Sequence, residues 1–236
     1  MLYPEAPTIS TLNKKNTKER ILSTAIRLFS TYGYEGTSVR MLCKESEVNI
    51  SAISFYFGSK DKLYNYCLQY LAEKADAYYD SVYQNAIRVL ESDSLTKEEA
   101  YQAAIRIIDA QIKTAYLPEY RSSLKLIYWE QNTPDSDFHP MTDTLFEKCE
   151  KPLARLIEAT TDSSYAEAII ASRFLNGSII AFGEHSELVY QALNDAGEDA
   201  RNMEWVRDDL HSYASAILAS LFHTRTNEGS KSTDTE

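Results

Sequence analysis

The chain has 236 residues, 44 % of them hydrophobic, and a formal net charge of −11. The hydrophobic share supports a packed core and excludes wholesale disorder. Seven Gly and six Pro are few for this length, which disfavours a turn-rich sheet protein and predicts an all-α fold.

Residues 1–13 contain two Pro and several Ser/Thr and read as a flexible N-terminal arm. A first helix begins at Asn16, which stands at capping-box spacing from Glu19. Ile21, Ala25, Leu28, Phe29 and Tyr32 form its apolar stripe, and Gly33 in "YGYEGTS" is a C′ residue that ends it. Thr37 or Ser38 caps a short second helix with Val39, Leu42 and Cys43 inward. After the break "ESEVN", Asn49 or Ser51 starts a short third helix that ends at Gly58. Ser59 caps the long fourth helix, and Asp61 suits its first turn.

Helical periodicity then continues. Thr96 with Glu99 opens a helix to about Tyr116, and Pro118 opens the next, through about Gln131. "NTPDSDFHP" is the clearest loop of the second half. Helices follow over about Met141–Ala159, Tyr165–Leu193 (capping box Ser164 and Glu167) and Met203–His223. The tail 224–236 is polar and reads as disordered.

Charge is unevenly spread. Between Asn13 and Tyr66 nine Lys/Arg face five Asp/Glu, giving +4 and leaving −15 for the rest. A basic N-terminal fifth can approach phosphate while an acidic body stays off it. Three short helices with brief breaks describe a helix-turn-helix. Val48, Ile53 and Phe57 can anchor the third helix; Ser51, Ala52 and Ser54 give it a small, polar outer side. The free helix start at Ser59-Lys60 makes a phosphate site.

The stretch "TKERILSTAIRLFSTYGYEGTSVRMLCKESEVNISAISFYFGSKDKLYNYC" resembles the DNA-binding domain of the TetR family of bacterial repressors over about fifty residues. "NISAISFYFGSKDKLY" is most similar to the CecR-like branch, as is the glutamate-containing helix end before a Pro in "WEQNTP". The resemblance implies phosphate or base-edge contacts from Ser38 and Arg40, and base reading by Asn49, Ile50, Ser51 and Ala52. It implies backbone contacts from Phe55 and Tyr56, and a phosphate-binding Lys60. The reading helix departs from the family pattern in lacking Arg, Lys and Gln. Guanine contact must then come from Arg40 or Lys44, or not occur. Asn49 could address adenine, and Lys14 and Lys15 could form a minor-groove arm.

The resemblance also implies that the C-terminal helices dimerise and enclose a ligand. The domain expectation is an arm (1–13), a helix-turn-helix head (14–62), a helical effector and dimer domain (63–223) and a tail (224–236), with about nine helices in all. Ligand candidates are Tyr116, Leu124, Tyr128, Trp129, Arg173, Phe174 and Asn176; Arg173 could instead pair with Glu130 or Glu167. Excess apolar surface on the last long helices independently favours a dimer. Its candidate residues are Ile170, Gly177, Ala181, Leu210, Ile217 and Leu221, with Gly183 and Ala171 allowing close approach.

Catalytic and metal motifs are absent from the sequence. The four His lack ligand grouping; His185, flanked by Glu184 and Glu187, reads as a solvated face. No nucleophile elbow, P-loop or dinucleotide loop occurs, and no cofactor or metal is expected. Three scattered Cys read as reduced thiols, and no 18-residue apolar run occurs. The expected protein is a cytoplasmic, homodimeric, ligand-responsive regulator of a double-stranded operator. The alternatives are a regulator without small-molecule effector, or a helical enzyme or carrier with a vestigial head.

Overall fold

Helices form where an apolar stripe meets a cap. The computed structural model describes residues 17–116, 121–132, 137–184, 186–198 and 204–223. The arm with Lys14 and Lys15, the Asn16 cap, Pro118 and the tail lie outside the described residues, as do the side chains of Tyr116 and Gly183. The head comprises α1 (Thr17–Gly36), α2 (Val39–Glu45) and α3 (Ile50–Phe57), followed by the 31-residue α4 (Lys60–Leu90). Helices α2, α3 and α4 each start on a side-chain cap. Ser38 accepts from the Met41 amide, Asn49 from the Ala52 amide, and Ser59 from the Lys62 amide. The first helix breaks at Gly33 as its sequence suggests, although helical residues resume briefly to Gly36.

The body contains α5 (Lys97–Tyr116), α6 (Arg121–Gln131), α7 (Pro140–Leu145), a π-helical turn (Phe146–Glu150) and α8 (Lys151–Thr160). They are followed by α9 (Tyr165–Glu184), α10 (Ser186–Asp195) and α11 (Glu204–His223). Among the described residues no strand occurs. Two of the three expected capping boxes lie within the described residues, and both close: Thr96 with Glu99, and Ser164 with Glu167. The Thr96 hydroxyl and amide hold the Glu99 carboxyl below its ordinary pKa. The helix expected over Met141–Ala159 is interrupted by the π turn, which rotates Glu150 and Cys149 into the core. On the same turn Lys148 reaches Asp76 at 3.0 Å and Asp80 at 3.2 Å. Burial works against its charge, but the two carboxylates win and raise its pKa. Cys67 and Cys149 are free and buried, and burial pushes both thiols up.

Two apolar clusters build the molecule. Helices α5, α8, α9 and α11 supply most of the body core, including Ile107, Leu156, Leu175 and Leu218. In the head, Ile21, Phe29, Leu42, Ile53 and Phe57 pack with Leu63 and Leu68 of α4. That second cluster continues into Leu124, Leu126 and Ile127 of α6 and Met141 of α7. The head is therefore seated on α6, and α1 is the helix in between.

The seat has a specific joint. Gly33 adopts φ 69° and ψ 179°, a region open essentially to glycine alone. A Cβ there would lie 3.2 Å from the Trp129 ring. The indole Nε1 donates to the Ser30 carbonyl at 3.4 Å. One residue on, buried Glu130 caps α7 from outside. It accepts from the Met141 and Thr142 amides at 3.0 and 2.8 Å and from the Thr142 hydroxyl at 2.5 Å. Pro140 occupies the first turn of α7 and His139 contributes no side-chain cap, so the carboxylate meets an otherwise uncapped positive helix end.

Candidate nucleic-acid interface and adjoining cavity

Helix α3 is held by its inner side and bare on its outer one. Ile53 and Phe57 are buried, whereas Ser51 and Ser54 are exposed. Ile50 is 63 % and Phe55 81 % exposed, with Tyr56 beside it at 40 %. Phe55 and Tyr56 meet edge to face, with centroids 5.0 Å apart. Tyr56 also tilts toward the buried Phe57 ring, with centroids 6.5 Å apart, whereas Phe55 is left almost wholly to the surface. Ala52 is half-buried.

Two polar candidates are partly committed already. Asn49 Oδ1 accepts from the Ala52 amide at 2.9 Å and the Ser51 hydroxyl at 2.6 Å. The bidentate adenine contact considered for Asn49 needs that oxygen as well as the amide nitrogen. The cap therefore leaves Asn49 as a donor only. Ser38 likewise spends its oxygen on the Met41 amide at 3.2 Å, while its O–H stays available as a donor. Arg40 and Lys44 stand exposed on α2.

Lys60 is more tied down than its sequence position suggests. It is half-buried, and its Nζ donates to the Tyr34 carbonyl at 3.1 Å and the Thr37 carbonyl at 3.2 Å. The ammonium also lies 3.9 Å from the Tyr34 ring centroid. The Tyr34 hydroxyl in turn donates to Asp61. The start of α4 thus clasps the end of α1 and its link to α2. An ammonium has three N–H groups, and these carbonyls use two.

Behind the head lies a cavity of about 870 Å³. Its walls are Leu22, Ser23 and Ile26 of α1; Tyr70, Leu71, Tyr78 and Tyr79 of α4; Gln111 and Thr114 of α5; Leu124 and Ile127 of α6; and Asn176 and Ile180 of α9. Of the seven ligand candidates, Leu124 and Asn176 line it. Four do not. Trp129 is spent on the joint with Gly33. Tyr128 and Arg173 border a smaller adjoining pocket of about 130 Å³, which shares Leu124 and Asn176 with the cavity. Phe174 faces outward, 61 % exposed. The Tyr116 side chain lies outside the described residues.

Arg173 pairs with neither Glu130 nor Glu167 but with Glu150, at 2.7 Å. Glu150 is buried at 4 % side-chain exposure, an acid that needs such a partner. It also receives the Asn176 amide nitrogen at 2.5 Å, and Asn176 Oδ1 accepts from Gln111 Nε2 at 2.8 Å. Sequence reading missed Glu150 and Gln111. Their signal was available: each is a polar residue at an inward position of an otherwise apolar helical segment. The cavity tyrosines also share one face of α4, at spacings of 4 and 8 from Tyr66 through Tyr70 to Tyr78.

The dimer candidates separate. Ile170, Gly177 and Ala181 are exposed on α9 and Ile217 on α11. Leu210 is instead buried in its own protomer's core, and Leu221 packs half-buried against that core. The four-residue periodicity of α11 could not say which of its stripes α5 would cover.

Comparison with known proteins agrees with this architecture. Residues 21–67 match the family described as bacterial regulatory proteins, tetR family. The HTH-type transcriptional dual regulator CecR of Shigella flexneri is 24 % identical over 213 residues, covering 89 % of this chain and 95 % of that protein. A TetR-like transcriptional regulator from Rhodococcus sp. RHA1 has a similar fold, with TM-score 0.54 and 16 % identity over 86 % of this chain and 94 % of its own. The regulator FadR from Bacillus subtilis, solved in complex with stearoyl-CoA, gives TM-score 0.52 and 14 % identity, covering 87 % and 97 %. Residues 21–67 are thus a TetR-family helix-turn-helix head, and the chain as a whole has the fold of TetR-like transcriptional regulators.

Proposed function

We propose that this protein is a homodimeric, ligand-responsive repressor that releases a pseudo-palindromic operator when a small molecule fills the cavity behind its head. One observation carries the reading: α1 is a wall of both structures. Ile21, Ala25, Leu28 and Phe29 on one side pack the reading head, and Leu22, Ser23 and Ile26 on the other line the cavity. A ligand that prefers one setting of α1 biases the setting of α3, and only by its differential affinity for the two states. FadR, a fold relative solved with stearoyl-CoA, supports a ligand role for a body of this shape.

Operator reading falls to Arg40, Ile50, Ser51, Ala52 and the Phe55–Tyr56 pair, with Lys60 and the helix starts at Ser38 and Ser59 on phosphates. The bare apolar side chains suit thymine methyl groups. Lys14 and Lys15 would add a minor-groove arm. Two-fold pairing is supported by the exposed α9 stripe of Ile170, Phe174, Gly177 and Ala181, and by Tyr213 and Ile217 one turn apart on α11. No Cβ neighbour stands within 4 Å of Gly177, leaving room for another helix to approach.

The test is anisotropy with labelled DNA from upstream of the protein's own gene. The expected result is salt-dependent binding by a dimer, reversed by a molecule that also raises the melting temperature of the free protein. DNA binding that no cavity ligand alters would instead establish a regulator without effector.

A further inference from the structure

The charge of the cavity differs in sign from that of the chain. The whole protein carries −11. Among the described residues lining the cavity, the charged ones are Lys18, Arg27, Lys74 and Glu19, a net +2. All four sit on α1 and α4, toward the head. Lys18 places its Nζ 4.7 Å from the Tyr66 ring centroid, and Lys74 places its own 5.5 Å from Tyr70; both rings line the same space. Arg27 is shared with Glu45 at 3.0 Å. Among the described residues, neither Lys18 nor Lys74 is ion-paired with a carboxylate. Low-dielectric walls focus such a field on whatever enters.

Another part of the wall has its own chemistry, set by Glu150 through Asn176. Because that group accepts, Asn176 must present Nδ2 to it, and so turns Oδ1 toward Gln111. Gln111 must then donate with Nε2, which leaves its Oε1 as the terminal atom of the chain. That oxygen is buried and has no hydrogen-bond partner. A buried acceptor without a donor is costly. It stands in a residue of the cavity wall that is only 3 % exposed. Thr114 nearby cannot relieve it by donating, because its hydroxyl is engaged with Tyr79 and with the Ala110 and Gln111 carbonyls. The wall is otherwise rich in apolar side chains: Leu22, Ile26, Leu71, Ile127, Met141 and Ile180.

We propose that the ligand is an amphipathic organic anion: an acidic group between Lys18 and Lys74, an apolar body, and a hydrogen-bond donor for Gln111. This deepens the effector reading above and rests on it. Binding between α1 and α4 would also explain how occupancy reaches the head, since Lys18 and Lys74 belong to the two helices whose relative setting positions α3.

The experiment compares four C12 probes by calorimetry on the full-length dimer: 12-hydroxydodecanoate, dodecanoate, dodecanol and dodecyltrimethylammonium. The expected order is hydroxy acid tightest, then dodecanoate, with the alcohol and the ammonium weaker by at least tenfold. Lys18→Gln and Lys74→Gln should each weaken the two carboxylates about fivefold and leave dodecanol unchanged. Gln111→Leu should remove the advantage of the hydroxy acid over dodecanoate. Circular dichroism melts confirm that each variant is folded. Equal binding of the ammonium and the carboxylate overturns the proposal, as does carboxylate binding indifferent to both lysines, or no carboxylate binding at all. Operator release is read separately on the same samples. An anion that binds by these rules without releasing DNA upholds the ligand class and sinks the effector role; release by the ammonium alone does the reverse.

Discussion

Lys60→Ala separates the clasp that this side chain makes from the phosphate contact proposed for it. The ammonium spends two of its three N–H groups on the Tyr34 and Thr37 carbonyls and rests on the Tyr34 ring. Charge-assisted hydrogen bonds contribute up to about 1.5–3 kcal/mol each when dry. Lys60 is half-buried, so water replaces much of that, and about 1–2 kcal/mol in total is the expected stability loss. For a chain of this size that is a fall of roughly 2–8 °C in melting temperature. The remaining N–H is the one available to a phosphate. Losing that contact should weaken binding to every DNA sequence alike. It should also flatten the slope of log K against log salt by about 0.9 per protomer. Thermal melts and anisotropy titrations from about 50 to 200 mM salt read the two effects independently. An unchanged salt slope would refute the phosphate role; an unchanged melting temperature would refute the clasp. Lys60→Arg is a useful companion, because its planar fork keeps the charge but cannot reproduce a point donor to two converging carbonyls. It should retain the salt slope and lose part of the stability.

Three further outcomes are expected. Gly33→Ala forces a Cβ into a glycine-only conformation and against the Trp129 ring at 3.2 Å; it should cost about 2–4 kcal/mol in chemical denaturation, and an unstrained variant would contradict the joint. Glu130→Ala leaves the Met141 and Thr142 amides without their acceptor. It should destabilise by about 3 kcal/mol, with Glu130→Gln recovering part of this by keeping one oxygen. Ile170→Glu with Phe174→Glu alters exposed positions only, so the protomer should keep its helicity while light scattering reports a monomer that no longer binds operator tightly; a persisting dimer would place the interface elsewhere.

The head was legible in the sequence because its information is local. Caps at Ser38, Asn49 and Ser59 act within three residues, and the stripes that place Ile53 and Phe57 inward run within single helices. Several polar roles were not legible, since they depend on partners far along the chain. The Lys60 side chain looks free until α1 brings the Tyr34 carbonyl to it. Arg173 has Glu167 within two turns but chooses Glu150, 23 residues away, because a π turn rotates that carboxylate inward. Trp129 looked like a ligand platform because a large aromatic at mid-chain suits one. The vacancy over Gly33, visible only in three dimensions, claims it instead. Leu210 and Ile217 illustrate the same limit: both are apolar and α-helical, and only the position of α5 decides which becomes core and which becomes surface.

The shared wall also fixes how much a ligand must do. A thousandfold loss of operator affinity is about 4 kcal/mol. With two cavities in the proposed dimer, each protomer supplies about 2 kcal/mol of preference for the released setting. At about 25 cal/mol per Å² that equals roughly 80 Å² of apolar surface buried in one setting and not the other, less than a single aromatic side chain. Leu22 and Ile26 of α1 line the cavity, and the same helix places Ile21 and Phe29 in the cluster that holds the anchors of α3. Because Trp129 packs over Gly33 near the C-terminal end of α1, the movement expected under the proposal is a shift of its N-terminal part against α4, where Lys18 stands. A ligand gripping Lys18 and Lys74 thus acts on α1 at its longest lever arm, while the apolar wall supplies the energy.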